Sequence, residues 1–217
     1  MNSLNKYIEH TLLKQDATQE EFVKLFDEAI EYKFLGVCIN PVNVKFAKEY
    51  LKKSDVKIVT VVGFPLGATK SEVKAYETKS AVEDGADEID MVINVSMLKD
   101  KDYQAVQKDI ATVREACRGK ILKVILETDL LTKEEIKKAC ELCINAKADF
   151  VKTSTGFVKN GVGAKVEDVE LMYKIVSPYG LQVKASGGIR DKQKALEMIK
   201  AGASRLGTSS GVVIVQE

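Results

Sequence analysis

Residues 147–153 read Lys147-Ala148-Asp149-Phe150-Val151-Lys152-Thr153. A triplet that closes a helical stretch runs straight into a short apolar run, and that run ends on a lysine. The same junction occurs twice more. Gly85-Ala86-Asp87 leads into Glu88-Ile89-Asp90-Met91-Val92-Ile93, and Gly202-Ala203-Ser204 leads into Arg205-Leu206-Gly207-Thr208. Recurring helix-to-strand junctions of one kind imply βα units, and hence parallel strands joined by right-handed crossovers.

Outward from these junctions, short β-branched runs alternate with long amphipathic ones. The pattern predicts strands at Tyr7–Thr11, Gly36–Asn40, Lys57–Val62, Glu88–Asn94, Ile121–Glu127, Phe150–Thr153, Gln182–Ala185 and Arg205–Thr208. It predicts helices near Gln19–Tyr32, Val42–Lys52, Lys70–Asp84, Tyr103–Cys117, Lys133–Ala146, Val166–Val176 and Lys192–Ala201, with a short one from Ser210. Phe22, Leu25, Phe26, Ala29 and Ile30 keep a helical period. Thr18 before Gln19-Glu20-Glu21, and Thr132 before Lys133-Glu134-Glu135, resemble capping boxes. Eight βα units in 217 residues predict an α/β protein: a single (β/α)8 TIM barrel, with residues 1–217 as one domain. An open doubly wound sheet is the alternative, weakened by the absence of a GxGxxG fingerprint.

Composition narrows the function. With 33 basic and 32 acidic residues the net charge is +1, and no basic face or tail marks a nucleic-acid surface. No apolar run reaches the roughly 18 residues needed to cross a membrane, and the first six residues lack a signal-peptide core. A soluble, cytoplasmic protein is expected. Cys140 and Cys143 form a CxxC inside a helical run, with no second pair and only one histidine, His10. Structural zinc needs four such ligands, so reduced, buried thiols are the expectation. Cys38, at a strand end, could line a pocket, but packing is the preferred reading.

Buried parallel strands should read as near-continuous Val, Ile and Leu, so the charges within them are informative. Asp90 interrupts Glu88-Ile89-Asp90-Met91-Val92; Lys152 ends Phe150-Val151-Lys152; Lys184 interrupts Gln182-Val183-Lys184-Ala185-Ser186. Lys123 and Glu127 share one face of a run read as a continuous strand. Each charge alone could be a solvated strand end or a structural ion pair. Several converging on one barrel mouth point instead to a site, since buried charges are costly unless paired or functional. A lysine beside a second cation more readily presents the neutral amine that attacks a carbonyl. Two glycine- and hydroxyl-rich turns, Ser186-Gly187-Gly188 and Gly207-Thr208-Ser209-Ser210-Gly211, follow strands seven and eight. Barrels often bind phosphate there.

Several segments together resemble deoxyribose-phosphate aldolases. They are Glu9–Lys14, Gly36–Pro41, Val62–Gly67, Glu88–Val92, Phe150–Phe157 (FVKTSTGF) and Val183–Arg190 (VKASGGIR), collinear over nearly the whole chain. The resemblance implies a class I, Schiff-base aldolase acting on 2-deoxy-D-ribose 5-phosphate without metal or organic cofactor. Position by position, Lys152 matches the Schiff-base lysine. Lys184 matches the second lysine, which lowers the pKa of the first and joins a proton relay, and Asp90 matches the relay aspartate. Thr155, Gly187, Gly188, Ser209 and Ser210 are implied at the phosphate. The implied partners are the phosphorylated sugar and acetaldehyde, with neither nucleic acid nor membrane, and barrels of this kind often self-associate into homo-oligomers. Three departures stand out. Glu9 replaces the more usual Asp, 158–165 is slightly longer than usual, and the tyrosine-bearing tail of some longer members is not seen after Glu217, which leaves tail-assisted proton transfer open. A metal-dependent aldolase or epimerase would draw on several histidines, whereas a non-catalytic phosphate-binding barrel would not need Lys152, Lys184 and Asp90 together.

Overall fold

Eight parallel strands close into a barrel in chain order in the computed structural model, which describes residues 3–217. The strands are β1 (Ile8–Leu12), β2 (Gly36–Ile39), β3 (Lys57–Val62), β4 (Glu88–Val92), β5 (Ile121–Ile125), β6 (Phe150–Lys152), β7 (Gln182–Ser186) and β8 (Ala203–Thr208). Between and after them lie α1 (Gln19–Glu31), α2 (Val44–Tyr50), α3 (Ser71–Asp84), α4 (Val95–Lys99), α5 (Tyr103–Ala116), α6 (Lys133–Asn145), α7 (Val166–Val176), α8 (Lys192–Lys200) and α9 (Gly211–Gln216). β1 pairs with both β2 and β8, which closes the ring and removes any free edge. Among the described residues, no helix is long and apolar enough to cross a membrane.

The repeated triplets have a physical reason. The first residue of each leaves its helix in the left-handed region: Gly85 at φ 113°, Lys147 at φ 59° and Gly202 at φ 112°. In the first two, the alanine N–H then turns back onto the helix, Ala86 to the Ala81 carbonyl at 2.9 Å and Ala148 to the Cys143 carbonyl at 3.0 Å. The aspartate that follows serves the neighbouring strand. Asp87 accepts from the Ile58 N–H at 2.9 Å, and Asp149 accepts from the Leu122 N–H at 2.7 Å. Each of these two junctions therefore ends a helix and satisfies the exposed start of the strand alongside. Both capping boxes form as well, Thr18 with Glu21 and Thr132 with Glu135.

Two strands end two residues earlier than the apolar runs predict. The run from Glu88 stops pairing at Val92, because the Asn94 side chain accepts from the Met97 N–H at 3.1 Å and starts α4. This short helix falls between the elements expected from periodicity. β5 stops at Ile125, and Glu127 takes a left-handed conformation, φ 61° and ψ 61°. Strand alternation therefore does not set where Glu127 points, contrary to the expectation that it shares a strand face with Lys123.

Strand alternation sends one set of side chains outward, against the helices. Ile89, Met91, Val151, Val183 and Leu206 join Phe26, Met172 and Ile214 in that outer core. Fully burying each such side chain stabilises the fold by about 2 kcal/mol. The inward set is divided. Leu13, Cys38, Val59 and Val61 form a small apolar cluster on the β2–β3 side. The rest of the interior carries charge.

All four thiols are buried and unpaired. Burial pushes Cys117 up to about 11 and Cys140 up to about 12, and raises Cys38 and Cys143 as well. The thiolate is the reactive form. A disulfide reagent such as DTNB is therefore expected to find almost no thiol in the native protein and all four after denaturation. Rapid native labelling would contradict this packing.

Candidate active site

The charged half of the interior is one connected cluster. Asp90 on β4 stands opposite Lys123 on β5, and Lys152 on β6 stands opposite Lys184 on β7. Asp90 accepts from three lysine side chains: Lys123 on Oδ1 at 2.9 Å, with Lys152 and Lys184 on Oδ2 at 2.8 and 2.7 Å. Lys184 also donates to Glu9 of β1. Lys123 reaches Glu88 at 2.5 Å and Glu9 at 3.5 Å. Arg205 of β8 lies 3.6 Å from both Glu9 and Glu88, with its guanidinium over the Phe150 ring. A register shift between β7 and β8 at Val183/Lys184 brings Arg205 opposite Lys184. The carboxylates come from β1 and β4, and the basic side chains from β5, β6, β7 and β8.

The structure brings Lys152, Lys184 and Asp90 together at one carboxylate oxygen. Lys123, Glu9, Glu88 and Arg205 belong to the same cluster, although none stood among the predicted site residues. Lys123 carried a usable signal, flanked by outward-facing Leu122 and Val124. Arg205 was obscured because β8 starts two residues earlier than predicted.

Protonation in the cluster follows from competition between burial and charge. Burial alone would raise the Asp90 carboxyl, but the three lysines outweigh it and hold it well below the usual carboxylate range. Glu9 is lowered in the same way, chiefly by Lys123 and Lys184. For Lys184 burial acts to expel the proton, yet Asp90 and Glu9 overcome it and hold the ammonium well above the ordinary lysine range. Lys123 is raised similarly. These two lysines are fixed cations.

Above the cluster opens a cavity of about 330 Å³. Lys152, Ser154 and Thr155 line one side, Ser186, Gly187, Gly188 and Arg190 another, and Thr208 and Ser209 a third. Gly187 and Gly188 both have positive φ, 83° and 72°, and a Cβ on Gly188 would come within 2.5 Å of the Val162 carbonyl oxygen. The 158–165 segment folds over this turn. Ala164 N–H donates to Gly187 at 3.0 Å, and Asp129 accepts from Gly163 N–H at 2.8 Å and pairs with Lys165 at 3.3 Å. Phe157 and Phe64 meet edge-on at the rim, 5.2 Å between centroids.

Of the residues implied at the phosphate, Gly187, Gly188 and Ser209 line the cavity. Ser210 does not; its N–H donates to Thr208 at 2.9 Å. Thr155 lines the cavity, but its hydroxyl donates to Glu127. Arg190 also reaches the mouth and was absent from the predicted set. His10 faces away from the interior and meets Glu28 of α1 at 2.8 Å. Among the described residues, no group of three or more His, Cys, Asp or Glu side chains is placed to hold a metal ion.

Residues 5–216 match the model of the DeoC/LacD family of aldolases. The chain belongs to that family. Among curated relatives, the deoxyribose-phosphate aldolase of Thermococcus kodakarensis is 60% identical over 97% of this chain and 95% of its own length. That of Finegoldia magna is 57% identical over 98% and 99%. Among solved structures, the deoxyribose phosphate aldolase of Aeropyrum pernix superposes with a TM-score of 0.91 at 34% identity, covering 98% of this chain and 89% of its own. The family's barrel is the fold found here.

Proposed function

We propose that this chain is a class I aldolase that reversibly cleaves 2-deoxy-D-ribose 5-phosphate to D-glyceraldehyde 3-phosphate and acetaldehyde, with Lys152 as the covalent nucleophile. The observation that carries this reading is the charge count at Asp90. Glu9, Glu88 and Asp90 supply three negative charges, and Lys123, Lys184 and Arg205 supply three positive ones. Lys152 is the fourth basic group, and it alone of the cluster lines the cavity. A neutral amine on Lys152 is the state that leaves the cluster balanced, and a neutral amine is what attacks a carbonyl.

The steps follow from that placement. Lys152 Nζ adds to the C1 aldehyde of the open-chain sugar, and loss of water gives an iminium. Removal of the C3 hydroxyl proton breaks the C2–C3 bond and releases D-glyceraldehyde 3-phosphate. The electrons of that bond pass into the iminium, leaving an enamine on Lys152. Protonation at C2 and hydrolysis then release acetaldehyde. Asp90, in contact with Nζ, and Lys184, with its fixed charge, are the groups nearest to guide these proton transfers, working through water. The iminium is the electron sink, so activity is expected to survive exhaustive chelation, and loss on EDTA with recovery on adding zinc would defeat this chemistry. Borohydride trapping with acetaldehyde, followed by peptide mapping, tests the nucleophile. The reduced adduct is expected on Lys152, and an adduct on Lys184 would reverse the assignments.

The phosphate is proposed to sit on the Gly187-Gly188 turn, with Ser209 and Arg190 at hand. Thr155 and Ser210, implied by resemblance, are less well supported because their own bonds engage Glu127 and Thr208. Arg190→Ala is expected to raise KM for the phosphorylated sugar by about tenfold or more, the value of one charge-assisted hydrogen bond. Unphosphorylated deoxyribose should change little, because it never used that contact. Equal losses on both would make Arg190 structural. Residues 1–217 as one catalytic domain, a cytoplasmic location and a homo-oligomer belong to the same proposal. The last is supported by the tetramer described for the Aeropyrum pernix protein.

A further inference from the structure

Glu127 is a buried carboxylate that the steps above do not use. It sits in a left-handed conformation, unusual for a residue with a side chain, just beyond the end of β5. The surrounding structure holds it there for one set of contacts. Its Oε1 accepts from the Thr155 N–H at 3.1 Å, and its Oε2 accepts from the Thr155 hydroxyl. The Thr155 oxygen in turn accepts from the Phe157 N–H at 3.1 Å. A hydroxyl has one hydrogen and two lone pairs. With the hydrogen given to Glu127 and one lone pair taken by Phe157, a single lone pair remains. Thr155 can then only accept from a ligand, which makes it a poor partner for phosphate and a good one for a hydroxyl. Burial raises the Glu127 carboxyl against the opposing pull of the two Thr155 bonds, in keeping with a group that depends on those donors.

Thr155 lines the cavity three residues after Lys152, with the Gly187-Gly188 turn also in the lining. In deoxyribose phosphate, the C4 hydroxyl likewise lies between the reacting C3 and the phosphate on C5. We propose that Glu127 is a specificity-determining positioning residue: by taking both hydrogens of Thr155 it fixes that side chain as a hydrogen-bond acceptor, and so favours acceptor aldehydes that carry a hydroxyl beside the carbonyl. The inference rests on the Schiff-base reading above and extends it to the choice of aldehyde.

The test is Glu127→Gln in the synthetic direction, with acetaldehyde as donor and two acceptors. One is D-glyceraldehyde 3-phosphate; the other is 3-oxopropyl phosphate, which has the same phosphate but no hydroxyl beside the aldehyde. Glutamine fills the same space with one acceptor oxygen. Facing the Thr155 N–H with that oxygen turns its NH₂ on the hydroxyl, which must then point its own hydrogen into the cavity. The variant is expected to lose about tenfold in kcat/KM for D-glyceraldehyde 3-phosphate, one hydrogen bond's worth. 3-Oxopropyl phosphate should change by less than about twofold on the same scale, and so should the rate of borohydride-trapped acetaldehyde adduct on Lys152. Thr155→Val, which removes the hydroxyl altogether, should reproduce the selective loss and decides the matter if Glu127→Gln fails to fold. Equal losses on both acceptors, or none on either, would overturn the proposal. Failure of the unmodified protein to form any adduct would instead overturn the Schiff-base reading, and this proposal with it.

Discussion

Lys152→Met is expected to lower kcat by about four orders of magnitude or more, since Lys152 is the one lysine of the buried cluster that lines the cavity, and the other lysine there, Lys14, is exposed to solvent. That loss corresponds to roughly 5 kcal/mol of transition-state stabilisation. The fold should survive. Methionine keeps the length of the lysine stem, and the basic group removed is the one in excess of the three carboxylates. Asp90 retains Lys123 at 2.9 Å and Lys184 at 2.7 Å. Stability to urea is therefore expected to change by less than about 1 kcal/mol, within the range of volume-conserving core substitutions. Steady-state kinetics with urea titration separates chemistry from folding. Retention of more than about one per cent of the rate would place the nucleophile elsewhere.

Lys184→Leu should behave differently. It removes a cation that Glu9 and Asp90 both use, leaving three carboxylates facing Lys123, Arg205 and Lys152. The balanced state of the variant now requires Lys152 to be protonated, so the nucleophile becomes a counter-ion. Imine formation is expected to fall by about 10²–10³-fold at neutral pH and to recover partly as pH rises. Removing one partner of a buried pair commonly costs 3–5 kcal/mol, so a stability loss of about 3 kcal/mol should accompany it. Adduct formation followed against pH reads the first effect, and urea unfolding the second. An unchanged pH profile would mean that Lys184 does not govern the state of Lys152.

The pH dependence of stability has a definite sign. Asp90 and Glu9 lie below their ordinary values of 3.8 and 4.5, so their contribution is complete above that range and fades as pH falls through the lowered values. Lys184 and Lys123 lie above 10.5, so theirs is complete below it and fades as pH rises through the raised values. Stability from the cluster is therefore expected to be level from about pH 5 to 10, with losses on both sides. Chemical denaturation across pH checks it, and a fall within that window would contradict the assigned directions.

The barrel was legible because its signals are local. The repeated triplets end helices in the left-handed region, and the capping boxes at Thr18 and Thr132 begin them within four residues. Asp90, Lys152 and Lys184 were legible because each breaks an apolar strand. Lys123 breaks one too, but what it faces depends on register with β4, which pairing fixes and spacing does not. Arg205 depends on the β7–β8 register shift, which has no signature in the sequence. α4 was missed because five residues hold too little periodicity, although Asn94 was there to cap it. Glu127 looked like the end of a strand. Its left-handed backbone is imposed by tertiary contacts that an apolar run cannot announce.

The distribution of charge along the strands bears on how such a barrel comes together. Every interior carboxylate of the cluster lies on the first four strands, at positions 9, 88 and 90, and every basic side chain on the last four, at 123, 152, 184 and 205. Either half alone would present a sheet whose inner face carries like charges, repelling one another and holding water. Closing the ring is thus an act of neutralisation between two unlike half-barrels. The Glu9–Lys184 contact, spanning 175 residues, is one clasp between them. Two copies of one half would meet with the same sign on both inner faces. For this interior, the two halves are complements and not duplicates.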